Sequence, residues 1–360
     1  MTIGTKGVIS MAYVEILTDN GLTVEQWDSD IFEEYLGQLW WKNLMGTSED
    51  SVIQVLEDLT KSPGDAITVG LMGEMQGGKV TGNSKGKGNE GRVDFFNQRI
   101  VVDNVRYLIK IEDVPMTQKR VGFDVLQKAK RALVTKSRLG LEDDITTALT
   151  TIGAERVRGR YLYGAADSNW NASHTTALTA IDGTNDVLTA AMIDIAKRKA
   201  TIPVNATAKI RPMMVKVGKN FEEWFVFVGH TYAIRDLVNS DAAFRNAKLL
   251  LPPNANRDSV LFSGSSFKGS WNGVLIYEYE NLPLSTNTNS VQCAHNLLLG
   301  AQAAAVVWGQ RSKFGEDEED VGHDRIYETH EIREESKLIF SRSTTEDNGL
   351  VNIISAAVAD

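Results

Sequence analysis

Apolar and polar positions follow two rhythms along this chain, and each change of rhythm marks an element. Between Leu22 and Leu44, the residues Val24, Trp27, Ile31, Phe32, Tyr35, Leu39 and Trp40 recur at three- and four-residue spacings, with Glu25, Asp28, Asp30, Glu33 and Glu34 opposite them. That period predicts an amphipathic helix ended by Gly46. So many aromatics on one short helix need a partner surface to bury them. At Ile67, Val69 and Leu71 the period falls to two, which predicts a strand. A glycine-rich stretch from Gly73 to Gly91 follows, carrying Lys79, Lys85 and Lys87. The chain then returns through a β-prone run, Val93 to Ile111, with Phe95, Ile100, Val102, Val105, Tyr107 and Ile109. The pair reads as a long two-stranded ribbon with a basic tip. A two-stranded ribbon alone is marginal in water, so a neighbouring subunit is its expected support.

Pro115 opens the longest helical pattern, since proline suits a first helical turn. Val121, Val125, Ala129, Leu133, Leu141, Ile145, Leu149 and Ile152 mark one face, and Gly153 ends it. Such a helix runs roughly 50 Å at 1.5 Å per residue. Its first half is basic and its second half turns acidic at Glu142, Asp143 and Asp144. Arg158 to Gly183 reads as an irregular excursion. Beyond it the pattern predicts a helix over Val187–Ala200, a hairpin over Met213–Val228 turning near Gly218, and a helix over Thr231–Ala247. A Gly/Ser loop is expected over Gly264–Gly273 and a strand over Val274–Tyr279. Leu297–Trp308 is an apolar run whose type periodicity leaves open. Strands are expected over Tyr327–Phe340 and Leu350–Val358. No internal repeat is present, and strands segregated from helices point to an α+β fold.

Composition narrows the function classes. Of 360 residues, 42% are hydrophobic and 24% charged, ordinary for a folded globular protein. No apolar run approaches the roughly 20 residues of a membrane span, and Met1–Leu22 lacks the pattern of a signal peptide. Cys293 is the only cysteine, which excludes an intrachain disulfide and a multi-cysteine zinc site. A formal net charge of −9 argues against a dedicated DNA-binding protein while leaving room for local contact with DNA.

Several motifs match catalytic signatures only in letters. Gly86-Lys87-Gly88-Asn89-Glu90-Gly91 spells the dinucleotide fingerprint, but that chemistry needs a following helix N-terminus, and a strand pattern follows here. Gly73 to Lys79 approaches a phosphate loop, yet Val80 stands where a hydroxyl should hold magnesium. Ser265, Ser266 and Ser270 complete no nucleophile elbow and read as turn residues. The run Glu316–Asp320 lacks the spaced ligands and glycine of a calcium loop. His174, His230, His295, His323 and His330 form no metal-binding spacing. No catalytic, cofactor or metal residue is assigned, and no cofactor is expected.

An ordered set of segments carries a family resemblance. Val55 to Leu71, then Val80-Thr81-Gly82 and Gly88 to Gly91, resemble the extended loop of the N-four-like major capsid family of tailed phages. Phe225 to His230 with Arg235-Asp236-Leu237, Gly273 to Glu278, Leu298 to Ala303 and Asn348 to Ile354 resemble later elements of the same family. Arg158 to Gly183 departs from its pattern. The resemblance implies the Hong Kong 97-type capsid fold: an N-terminal arm (1–62), an extended loop (63–112), a peripheral domain with a spine helix (113–186), an axial domain (187–300) and a return to the peripheral domain (301–360). It implies a shell protein rather than an enzyme, assembling through hexamers and pentamers into an icosahedral shell around double-stranded DNA. Assembly is expected in the bacterial cytoplasm. Expected partners are further copies of the chain, DNA on the inner face without sequence preference, and portal, scaffolding and decoration proteins, with no membrane. Trp27, Phe32, Trp40, Lys79, Lys85, Lys87 and Phe95 are the candidate inter-subunit contacts. An encapsulin-like cargo compartment is the alternative.

Overall fold

The computed structural model describes residues 39–60, 64–72, 77–82, 85–91, 93, 95–122, 125–151, 160–170, 174–202, 209–217, 220–242, 244–246, 261, 265–318, 324–338 and 349–359. Most of the amphipathic segment Leu22–Leu44, with Trp27 and Phe32, lies outside them. Its end, Trp40–Leu44, is a 3₁₀ turn.

In chain order the strands begin with β1 (Met45–Gly46), β2 (Ile53–Leu56), β3 (Ala66–Met72), β4 (Phe95–Val101) and β5 (Asp103–Ile111). Helices α1 (Val114–Arg120) and α2 (Val125–Thr150) follow. Next come β6 (Tyr161–Tyr163), α3 (His174–Ala180), α4 (Ala190–Thr201), β7 (Met213–Val217), β8 (Asn220–Gly229) and α5 (Thr231–Ser240). The last seven strands are β9 (Phe267–Trp271), β10 (Val274–Glu278), β11 (Leu284–Thr286), β12 (Gln292–Leu299), β13 (Ala304–Glu318), β14 (Arg325–Lys337) and β15 (Leu350–Ala356).

Three sheets organise the described chain. An eight-stranded sheet runs β6-β15-β12-β8-β10-β9, with β11 on β12 and β7 on β8. A five-stranded sheet runs β1-β2-β13-β14-β5, and β3 pairs β4 in a ribbon. Both faces of the larger sheet are covered, and strict alternation along its strands decides which side chain goes where. Trp224, Val226 and Val228 of β8, Leu275 and Tyr277 of β10, and Leu297 and Leu299 of β12 face a core shared with Trp41, Ile53 and Leu141, Ile145 and Leu149 of α2. Phe225, Phe227, Val274, Ile276 and Leu298 face the opposite core, filled by Met192, Ile193 and Ala196 of α4 and Ala233, Ile234 and Leu237 of α5.

Four expectations are corrected, and one left open is decided. The helix opened at Pro115 is two helices, because Val121 turns extended (φ −105°, ψ 143°) ahead of Gly122, a poor helix former. The helix α2 of 26 residues therefore measures about 39 Å. The return run Val93–Ile111 also divides: β4 belongs to the ribbon, and β5 leaves it to pair antiparallel with β14. Val102 N–H, donating to the Asp65 carbonyl at 2.9 Å, closes the ribbon at that point. Arg158–Gly183 is not irregular throughout, since β6 pairs parallel with β15 and Tyr161, Leu162 and Tyr163 are fully buried. The Gly/Ser loop contains β9, paired antiparallel with β10. The apolar run Leu297–Trp308 is two strands joined at Gly300–Ala303. Gly300 is needed at that corner: a Cβ there would lie 2.3 Å from Ile210 Cγ2 and 2.5 Å from the Arg211 carbonyl.

Candidate functional site

The ribbon is anchored by its own chain. Val69 and Ile100, on its inner face, are buried against Ala305, Val307 and Leu338. Gln98 donates its side-chain amide to Ser336 Oγ at 3.0 Å and to the Lys337 carbonyl at 2.9 Å. The expected need for outside support is thus met at the base by β13 and the end of β14. Further out the character changes. Phe95 is 73% exposed, and Lys79, Lys85 and Lys87 stand in solvent at the tip.

The glycines of the tip have a steric purpose unrelated to nucleotide binding. A Cβ on Gly77 would lie 2.7 Å from Gly91 Cα, so the two legs cross where neither has a side chain. Gly82 and Gly88 have φ of 68° and 92°, in the region glycine enters freely. The tip closes on itself through Asn89 Nδ2, which donates to the Lys85 carbonyl at 3.0 Å, and Gly88 N–H, which donates to Glu90 at 2.7 Å. No helix follows Gly91 to receive a pyrophosphate; β4 does.

Trp40, another contact candidate, is half-buried within its own chain. Its indole N–H donates to Ser266 Oγ at 3.0 Å, and its backbone N–H donates to Glu142 Oε1 at 2.8 Å. Its ring meets Trp41 edge-on at 4.7 Å and lies 4.5 Å from Tyr279. The turn therefore ties the start of the described chain to α2 and to the end of β10.

A charged cluster joins α2 to the five-stranded sheet. Arg333 of β14 has a fully buried side chain. It donates to Glu331 at 2.8 Å and to Asp144 of α2 at 2.8 Å, and it pairs with Glu335. Tyr107 of β5 lies 3.4 Å from the same guanidinium. One cation faces three carboxylates, of which Glu331 and Glu335 are buried and Asp144 is half-exposed, so negative charge is in excess where solvent reaches only one side. Burial pushes Glu331 and Glu334 above the usual carboxylate range and Glu335 up to about 7, with Arg333 pulling the other way. The motif reading missed this cluster, although its signal was present. Tyr327, Thr329, Glu331 and Arg333 occupy the inward positions of an alternating strand, where a charge must be paired.

Among the described residues no group of three or more His, Cys, Asp or Glu side chains is placed to hold a metal. Lys79, Lys85 and Lys87 share the tip, and among the described residues no nucleophile–base pair is assembled with them there.

The same architecture occurs in solved phage shells. The chain is similar to the capsid of Ralstonia phage GP4, with a TM-score of 0.74 and 18% identity over 99% of each chain. It is similar to the capsid of cyanophage Pam1, with a TM-score of 0.71 and 21% identity over the full length of both. It also resembles the acid-stable capsid of Helicobacter pylori bacteriophage KHP30, with a TM-score of 0.65 and 14% identity over 87% of this chain and 89% of that one. No curated protein matches the chain by sequence. The fold is thus that of a phage shell subunit, the Hong Kong 97-type α+β fold expected above. The chain belongs to the phage capsid protein family, whose model matches residues 16–358. It is a major capsid protein, a structural component that associates with copies of itself to form the shell of the virion. The cargo-compartment alternative is not favoured, because the family and the structural neighbours are phage capsids.

Proposed function

We propose that copies of this chain join through hexamers and pentamers into an icosahedral shell that encloses double-stranded DNA, and that the work of the chain is mechanical rather than catalytic. The observation that carries this reading is the ribbon: docked at Val69 and Ile100, it carries an exposed Phe95 and three exposed lysines outward from the body. A projection fixed at one end and apolar and basic at the other suits a reach across a neighbouring subunit. In this reading 1–62 is the arm, 63–112 the extended loop, 113–186 and 301–360 the peripheral domain, and 187–300 the axial domain at the capsomer centre. Covering 161–163 within the eight-stranded sheet gives the peripheral and axial parts a shared frame. Closed symmetry multiplies individually modest contacts, because one extended chain meets several partners. Assembly takes place in the bacterial cytoplasm, with portal, scaffolding and decoration proteins as further partners.

The test is sedimentation of the purified chain with negative-stain imaging of the fast fraction. Shells, or capsomers with five- and six-fold symmetry, are expected. Deleting 77–91 should leave folded subunits that assemble poorly. A wild-type chain that stays monomeric, or normal shells from the deletion, would remove the respective part of the proposal.

A further inference from the structure

The β7–β8 hairpin carries apolar side chains on both faces. Alternation sends Met213, Val215 and Trp224 into the main core. It sends Met214 and Phe221 the other way and onto one face, because Met214 stands opposite Glu223 and Phe221 lies two residues from Glu223 on the same strand. Met214 is 39% exposed and Phe221 66%. Both border a cavity of about 430 Å³ that is also lined by Leu44 and Met45, where the chain leaves the 3₁₀ turn. This cavity shares Asn43 and Leu44 with a second one of about 220 Å³, which Leu39 lines. Leu39 is the first described residue. Its backbone is extended (φ −65°, ψ 132°), so the chain changes direction beside these two cavities.

Residues 1–38 therefore reach the body at an apolar groove, and they bring an apolar stripe that needs one. Trp27, Ile31 and Tyr35 recur at four-residue spacings, and Leu39 is next in the same rhythm. Leu39 is already buried, in the core that holds Trp41 and Leu44. Four extended residues span at most about 14 Å, so Tyr35 stays close to the cavity that Leu39 lines. The cavity on the other side of the turn, about 530 Å³, suits the stripe less. Its lining includes Arg138, Glu142, Lys268 and Glu278, and these charges are paired as Arg138 with Glu142 and Lys268 with Glu278.

We propose that the groove between the β7–β8 hairpin and Leu44–Met45 seats the chain's own segment 24–38, with Ile31 and Tyr35 laid over Met214 and Phe221. An amphipathic helix in an apolar groove uses anchors of this spacing. Glu33, two residues beyond Ile31, lies roughly 160° around such a helix from it and faces water. The occupant belongs to the same copy, so the groove fills before any second copy arrives and whether or not shells form.

Two measurements on the full chain, kept dilute so that it does not assemble, test this. The first is cutting by a Glu-specific protease after Glu33 and Glu34, followed by mass spectrometry. Met214→Ser with Phe221→Ser should be cut there roughly tenfold faster than wild type, because the open form becomes more populated. The urea midpoint of the body should stay the same, since both side chains are exposed. Equal cutting rates overturn the proposal. The second uses a Cys293→Ala background, which removes the only native cysteine. Tyr35→Cys with Met214→Cys, treated with a short bismaleimide, should give a crosslink within one chain. Tyr35→Cys with Leu108→Cys should give none, because Leu108 is on β5, at the opposite edge of the five-stranded sheet from Met45. Crosslinked dimers from the first pair overturn the proposal and give the groove to a second copy. No crosslink from the first pair, or equal crosslinking by both pairs, overturns it as well.

Discussion

Gly140 of the long helix lies directly over the phenol of Tyr107 on β5: a Cβ at position 140 would come within 1.9 Å of the Tyr107 hydroxyl and 2.7 Å of its Cζ. The absent side chain is what allows the helix to sit close enough for Asp144 to reach Arg333 at 2.8 Å. Glycine inside a helix costs about 1 kcal/mol relative to alanine, so Gly140→Ala would stabilise an unencumbered helix. Here we expect the opposite, a loss of roughly 1–3 kcal/mol from overpacking, measured by urea unfolding of the unassembled chain. Tyr107→Phe should recover part of that loss in the double variant. Additive effects of the two substitutions would show that helix and strand do not meet there.

Arg333→Met should destabilise by roughly 3–5 kcal/mol, because the buried Glu331 and its neighbours lose the guanidinium they share. Arg333→Lys should recover little, since a point charge cannot fork among Glu331, Glu335 and Asp144. Chemical denaturation of the three proteins at one pH decides this, and a lysine variant close to wild type would contradict it.

Stability should depend on Glu335. Its folded pKa, about 7, stands above the usual value of 4.5, so the unfolded chain gives up this proton more readily. The contribution of Glu335 to stability is therefore complete below about 4.5 and is lost as pH rises through about 7. Glu335→Gln should flatten the fall in urea midpoint between pH 6.5 and 8, and an unchanged profile would contradict the assignment.

His295 acts in the opposite sense. Burial, with His174 nearby, lowers it from 6.5 to about 4, and its Nε2 lies 2.9 Å from Ser285 Oγ. Its contribution is present above 6.5 and is lost as pH falls through about 4. Between about pH 4.5 and 6.5 the two groups offset one another. In Glu335→Gln the urea midpoint should then drop visibly on acidification over that range, and His295→Asn should remove most of the drop.

Ile100→Ala should free the ribbon without unfolding the body, because Ile100 packs with Val69, Ala305, Val307 and Leu338 away from both larger cores. Limited proteolysis should cut between β3 and β4 sooner than in wild type, while the cooperative unfolding of the remainder keeps its midpoint. A lowered global midpoint would show that the ribbon base belongs to the main folding unit.

Elements whose periodicity is sustained could be read from the residues alone. The hairpin β7–β8, the strands β10, β14 and β15 and the helix α5 were legible because alternation at two, or apolar spacing at three and four, reports which face is buried. The ribbon with its basic tip was legible for the same reason, and the absence of catalytic spacing withheld an enzyme assignment. Where the ribbon ends was not legible, since β4 and β5 are one β-prone run until β14 captures the second half through backbone hydrogen bonds, which are available whatever the side chain. The same holds for β6, whose three residues are too few to show a period and which exists because β15 offers an edge. The core of α2 against the sheet was hidden most deeply. Tyr107 and Arg333 are far in the chain from Gly140 and Asp144, and a glycine becomes necessary, or a buried arginine tolerable, only when packing brings the others to it.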